Sequence, residues 1–240
     1  MINFQHIPFG LRESDGELVD VADVQRGMGC NCICPSCKTP LIARHGDVNQ
    51  WHFAHASRSV YSKTKKDCDF SFYVSVRLMA RQIFQEEMTI QLPQYKGIVS
   101  DYSSSGFCFA EEFIVSDKQS IQLSDVKIEA SFNGISVDVV GNVGAFKFVI
   151  YLTHPNRHVP SELSCFKHPK YGVLKLSLES LITLYSENNH SKSSYKKLLK
   201  DFLANDLPSK EWLFHPRYEQ SENHAKEVNR KKNTIFRVKT

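Results

Sequence analysis

Four of the chain's seven cysteines fall within residues 30 to 37, and the last two frame the turn Cys34-Pro35-Ser36-Cys37. A C-x-x-C turn sets two sulfurs on one side of an ion and aims backbone N–H groups at them, which makes half of a tetrahedral metal site. The other half lies further along: Trp51-His52-Phe53-Ala54-His55 carries two imidazoles, and Cys68 adds a third thiol. Thiolate and imidazole are the ligands Zn²⁺ takes in structural sites, so Cys34, Cys37, Cys68 and one histidine form a candidate zinc centre. Four protein ligands leave no open position for water or substrate, and the metal therefore reads as scaffold.

Strand parity chooses between the histidines. His52 and His55 differ by an odd number of positions, so in an extended chain they point to opposite faces and do not both ligate. His55, at the strand end where a ligand can leave the hairpin plane, is the preferred ligand; His52 is the alternative, otherwise packing beside the site. Cys30 and Cys32 stay open: either replaces Cys34 in another register, or supplies an extra thiolate, or belongs to a strand approaching the turn. An odd cysteine count crowded in this way suits thiolate chemistry in a reducing compartment better than a disulfide framework.

These ligands need elements to hold them. Pro40 to Arg44 and Asn49 to Phe53 read as two short strands around His45-Gly46-Asp47, a hairpin stapled by metal, after an opening stretch that Gly16 and Gly27 break into a possible hairpin of its own. After Cys68, Phe70, Tyr73, Val74, Leu78 and Phe84 recur at helical spacing, predicting a helix that ends near Glu87. Pro93, Gly97, Ser103 to Gly106 and the β-prone run Phe107 to Val115 favour strands and loops next. Ile121 to Ser131, Ile135 to Val140 and Phe146 to Thr153 then read as the central sheet, with Asn133-Gly134 as a tight turn. Lys170 to Leu178 is a further strand, and helical patterning returns at Leu178 to Tyr185 and Tyr195 to Leu203. The expected organisation is α/β or α+β: a small zinc-ribbon-like module (1–70), a mixed-sheet domain with C-terminal helices (71–215), and a basic, partly disordered tail (216–240).

The run Cys34-Pro35-Ser36-Cys37, Gly46, His52-Phe53-Ala54-His55 and Cys68 resembles the N-terminal zinc-finger-like region of the competence protein CoiA-like family. The resemblance is firm over about residues 30 to 70 and weaker to about residue 160. It implies that the module precedes a PD-(D/E)xK nuclease-like, that is restriction-endonuclease-like, domain with metal-binding residues on a strand pair of the central sheet. Glu129, Asp138 and Thr153-His154 match its pattern of a Glu-bearing strand, an Asp-Val strand and a strand ending in Thr-His. The acidic-x-Lys element before Thr-His is replaced by Val149-Ile150-Tyr151, and the Glu and His expected on the helix after the last cysteine are not found.

Phosphodiester hydrolysis in such a site needs two acidic groups for Mg²⁺ and a basic or amide group to orient water. Alternation puts Lys147 on the face of Val149 and Tyr151, so Asp138, Glu129 and Lys147 are the candidate catalytic set of an active nuclease, with Mg²⁺ as its cofactor. The missing element favours instead a degenerate site and a role in binding DNA, ahead of RNA, alone or as a subunit beside an active partner. A third class is a zinc module that docks a protein. Basic candidates for phosphate contact are Lys63, Lys65 and Lys66, Lys196 and Lys197, and Arg230, Lys231 and Lys232. A net charge of +4 and 41% hydrophobic residues describe an ordinary globular chain. No stretch reaches the roughly 20 apolar residues of a membrane span, and the N-terminus has no apolar signal core, so the cytoplasm is the expected location.

Overall fold

The structure is a computed structural model that describes residues 6–46, 50–56, 68, 71–102, 108–164, 170–187 and 194–239. It is a mixed α and β fold in which strands predominate. Near the N-terminus, β1 (Phe9–Arg12), β2 (Leu18–Asp20) and β3 (Cys32–Ile33) form an antiparallel sheet in the order β2-β1-β3. The separate hairpin of β4 (Leu41–Arg44) and β5 (His52–His55) is tied to it by bridges from Ile7 to Phe53 and from Ile33 to Pro40. Cys30, Cys32, Leu41, Ala43 and Phe53 are buried between them, a core too small to hold about 40 residues without a further tie.

Helix α1 (Phe72–Phe84) follows, capped by the Ser71 hydroxyl, which accepts from the Val74 N–H. Its buried stripe is Phe72, Val76, Met79, Ala80 and Ile83; of the predicted face Phe84 is buried too, Tyr73, Val74 and Leu78 are only partly buried, and Phe70 lies outside the described residues. It stops before Glu87 because the Gln85 N–H closes a tightened last turn on Gln82 and Ile83.

The central sheet has five strands in chain order: β10 (Ser124–Phe132), β11 (Ile135–Val143), β12 (Phe146–Thr153), β13 (Tyr171–Ser177) and β14 (Lys210–Phe214). All neighbours are antiparallel except β12 and β13, a parallel pair that needs a crossover, supplied by a segment containing the short α2 (Ser161–Ser164). The Asn133-Gly134 turn joins β10 to β11 with both residues at positive φ, +49° and +78°, the conformation a two-residue hairpin demands.

One face of this sheet, through Val139, Phe148, Ile150, Leu152, Leu174 and Leu176, buries against α1, α3 (Leu181–Glu187) and α4 (Tyr195–Asn205). The other face, through Val149, Tyr151, Val173 and Phe214, packs against Leu163 of α2. The N-terminal strands join the first of these cores through Phe9 and Leu18. Gln82 on α1 bonds both the N–H and the carbonyl of Leu18, at 2.9 and 3.0 Å, and buried Asp20 accepts from the Ser194 hydroxyl and the Lys196 N–H at the start of α4. Burial holds the Asp20 carboxyl above its ordinary value despite these bonds.

Two expectations change. The predicted strand Ile121 to Ser131 is two strands: β9 (Gln119–Gln122) leaves the central sheet to pair with β6 (Thr89–Leu92), and only β10 stays. The tail expected to be partly disordered forms α5 (Tyr218–Lys239), with Ala225 buried against Val99, Phe113 and Val115 of the hairpin β7 (Tyr95–Tyr102) and β8 (Cys108–Ser116). A polar composition hid this helix because one stripe of small and apolar residues is enough to seat it on a two-stranded sheet.

Candidate functional site

The turn after β3 is built for ligation. The Cys34 N–H bonds the Thr39 carbonyl at 2.8 Å, the Lys38 N–H returns to the Cys34 carbonyl at 2.9 Å, and the Cys37 N–H points at the Cys34 sulfur at 3.5 Å. Hairpin register then brings in the imidazole: His55 pairs with Leu41 at the end of β5 nearest this turn. Cys68 closes the set. The ligand atoms of Cys34, Cys37, His55 and Cys68 all lie within 4.8 Å of one another, and the Cys34 and Cys68 sulfurs are 3.5 Å apart. A regular tetrahedron with Zn–S bonds of about 2.3 Å has S···S edges of about 3.8 Å, so this donor set can hold a metal ion and suits zinc.

His52, the alternative ligand, is outside the cluster: its Nδ1 bonds the Gln50 carbonyl at 2.8 Å and its ring stacks on His6, with centroids 4.1 Å apart. Cys30 and Cys32 are outside it too, their buried thiols turned to the carbonyls of Leu41 and Cys30. Burial pushes the Cys32 thiol up to about 12, which suits a packing residue. Burial likewise raises Cys34. At Cys37 burial acts in the same direction, but hydrogen bonds from Thr39 prevail and hold the thiol below its ordinary value.

The candidate catalytic residues divide. Asp138 on β11 and Glu129 on β10 do come together, bridged by Arg81 of α1: its Nε and Nη2 each lie 2.8 Å from Asp138 Oδ1, and its Nη1 pairs with Glu129. Asp138 Oδ2 accepts from the Leu152 N–H at 2.8 Å and from Arg157 Nη1 at 2.7 Å, while Arg77 Nε, one helical turn before Arg81, stands 3.7 Å from Oδ1. Asp138 is fully buried and Arg81 is 4% exposed. The Arg157 guanidinium lies over the Tyr151 ring at 3.8 Å.

Lys147 is not part of this cluster. It pairs with Asn142, four residues along β11 from Asp138, which at ~3.3 Å per residue is roughly 13 Å away. Along β12 alternation holds, with Val149 and Tyr151 in one core and Phe148, Ile150 and Leu152 in the other, but along β11 it does not. Val137 belongs to the core on the α2 face and Val139 to the core under α1, so alternation breaks across Asp138, opposite a Glu129 held at φ +51°. The basic groups at Asp138 are arginines, which the sequence reading did not single out. The available signal was Arg77 and Arg81, spaced i, i+4 on a helix whose neighbouring positions are apolar.

Of the basic candidates, Lys196 pairs with Glu86 at 2.8 Å, which Lys200 also reaches, at 2.6 Å. Lys197, Arg230 and Lys231 are exposed. Lys63, Lys65, Lys66 and the Lys232 side chain lie outside the described residues. No helix among the described residues is long and apolar enough to cross a membrane.

No curated protein and no solved structure matches this chain. Residues 21–61, which carry Cys34, Cys37, His52 and His55 but end before Cys68 and far from Asp138, match the family model of the competence protein CoiA N-terminal domain.

Proposed function

We propose that this chain is a cytoplasmic nucleic-acid-binding protein, stabilised by a structural zinc, whose nuclease-like sheet keeps its acidic pair but binds without cutting, alone or beside an active partner. One observation carries the reading: the carboxylates that the nuclease resemblance assigns to Mg²⁺ already hold guanidinium groups. Asp138 accepts from Arg81, Arg157 and a backbone N–H, and Glu129 is drawn to Arg81. A divalent cation there would have to displace buried ion pairs and sit among three positive charges.

The same cluster supports binding. Three arginines face two carboxylates, and a cavity of about 220 Å³ lined by His154, Arg157 and His158, with Glu179 and a Lys175 that pairs with Glu211 also on its wall, opens beside them. A phosphate is the chemistry such a cluster attracts, and Lys197, Arg230 and Lys231 are further exposed cations. DNA is the favoured ligand on the resemblance. The test is a cleavage and gel-shift assay with Mg²⁺ or Mn²⁺ on single-stranded and duplex DNA and RNA. The reading expects salt-dependent shifts without cleavage; Mg²⁺-dependent cutting lost in Asp138→Ala overturns it.

A second reading has its own observation. The outer face of the β7–β8 hairpin exposes Ile98, Tyr102 and Ile114, at 69%, 65% and 52%. Such a patch favours a protein partner. A complex that survives nuclease treatment and is lost on charging Ile98 and Ile114 would support it.

A further inference from the structure

Lys147 borders a different site. A cavity of about 310 Å³ opens between β9, β12, β13 and the start of α5, with Phe146, Phe148 and Trp212 among its walls and Lys147 and Arg217 at its edge. Its depth depends on Gly172: a Cβ there would stand 3.2 Å from the Phe148 ring and 3.4 Å from that of Trp212. The aromatic floor is fixed. Phe148 and Trp212 meet edge to face at 5.6 Å, and the Trp212 indole N–H is committed to the Pro93 carbonyl at 3.0 Å. Buried His215 packs against Trp212, and its Nδ1 accepts from the Arg217 N–H. Burial first, then Arg217, brings its imidazole down to about 4, so it adds no charge at neutral pH. Phe146, at the lip, is 46% exposed, an unusual position for a phenylalanine beside two exposed cations.

We infer that this cavity takes one unstacked nucleotide of a single strand, the base against Phe146 and the aromatic floor and its phosphates on Lys147 and Arg217. The inference rests on the nucleic-acid reading above and adds strand type and contact residues to it. The volume is at the small end for ligand cavities and suits one flat group. No acidic side chain lines it among the described residues, so the charge at its edge is complementary to phosphate. With the indole N–H spent and His215 buried, recognition falls to stacking, which every base can supply. Single strands are therefore preferred over duplex, with little base preference.

The test uses the full zinc-loaded chain with Trp51→Phe, so that Trp212 alone reports, titrated with a short oligothymidylate and with a duplex of equal length. Oligothymidylate is expected to change Trp212 fluorescence and to bind more tightly than duplex. Phe146→Ala should weaken it about 5- to 150-fold, the range of one lost base–aromatic stack. Lys147→Glu with Arg217→Glu should weaken it further and flatten its salt dependence. Phe146, Lys147 and Arg217 are all exposed, and unchanged thermal unfolding verifies the fold. Oligothymidylate binding that leaves Trp212 fluorescence and the Phe146 variant unchanged overturns this inference while the broader reading stands. No binding of either nucleic acid overturns both.

Discussion

The thiol cluster and the carboxylate cluster solve opposite electrostatic problems. Cys34, Cys37, His55 and Cys68 converge from a turn, a strand end and a distant position, and bring three sulfurs and an imidazole within 4.8 Å of one another. Ionised together, those thiols repel, and only a cation at their centre makes the arrangement favourable. Asp138 and Glu129 also converge, but α1 and the turn after β12 supply Arg77, Arg81 and Arg157. Protein cations satisfy the second cluster, so it has no electrostatic need of a metal. Likeness of ligand type is therefore a poor guide to metal binding unless the countercharges are counted as well.

The largest expected effect is at the thiols. Replacing Cys34 or Cys37 by serine, or stripping the metal with a chelator, should remove on the order of 10 kcal/mol of folding free energy from the N-terminal region. Metal analysis should give one zinc per chain before treatment and none after, and hydrogen exchange should show protection lost in β4 and β5. A chain that keeps that protection without metal would erase the contrast between the clusters.

Next comes Asp138→Ala. It leaves Arg81, 4% exposed, with Glu129 alone and Arg157 with the Leu152 carbonyl, and removing one member of a buried pair costs about 3–5 kcal/mol. The sign is the informative part. In a metal-dependent active site, deleting an acid relieves repulsion between carboxylates and leaves stability equal or higher. Here denaturant unfolding should show a marked loss. Arg81→Met should cost less, because Asp138 keeps Arg157 and the Leu152 N–H, and it should leave Glu129, 61% exposed, to water. If Arg81→Met were the more damaging of the two, the arginine and not the aspartate would be the centre of the cluster.

The same contrast explains what could be read from the sequence. A candidate metal site is legible because few residue types serve and the turn holds two of them at a fixed spacing, so Cys34, Cys37, His55 and Cys68, whose donor atoms could hold an ion, stand out in the bare chain. The hairpin turn at Asn133-Gly134 is legible for a related reason: both residues tolerate positive φ, and few others do. Arg77, Arg81 and Arg157 were missed because an isolated arginine normally marks a wet surface. Only the packing of α1 across β10 and β11 reveals their shared target. Lys147 is misplaced because sharing a strand face says nothing of distance along the strand, and its partner Asn142 is four residues from Asp138. The separation of β9 from β10 was hidden because both halves of Ile121 to Ser131 are equally β-prone; pairing with β6, a distant segment, decides it.

The smallest expected effect is an acid-side loss of stability beside the arginine cluster. His154 sits at its rim, its ring stacked on Tyr73 and its Nδ1 accepting from the Asn156 N–H at 3.3 Å. Burial, then Arg77 and Arg157, hold its imidazole below the ordinary value, with Asp138 pulling the other way. A base whose folded pKa is depressed takes up fewer protons folded than unfolded, so its contribution to stability is complete above about pH 6.5 and is lost as pH falls toward the folded value. Denaturant unfolding at pH 7.5 and pH 5.5 should therefore show an acid loss that His154→Asn reduces, since the amide oxygen can accept the same bond without taking a proton. An unchanged pH dependence in the variant would mean that the acid loss belongs to another group and that His154 carries none of it.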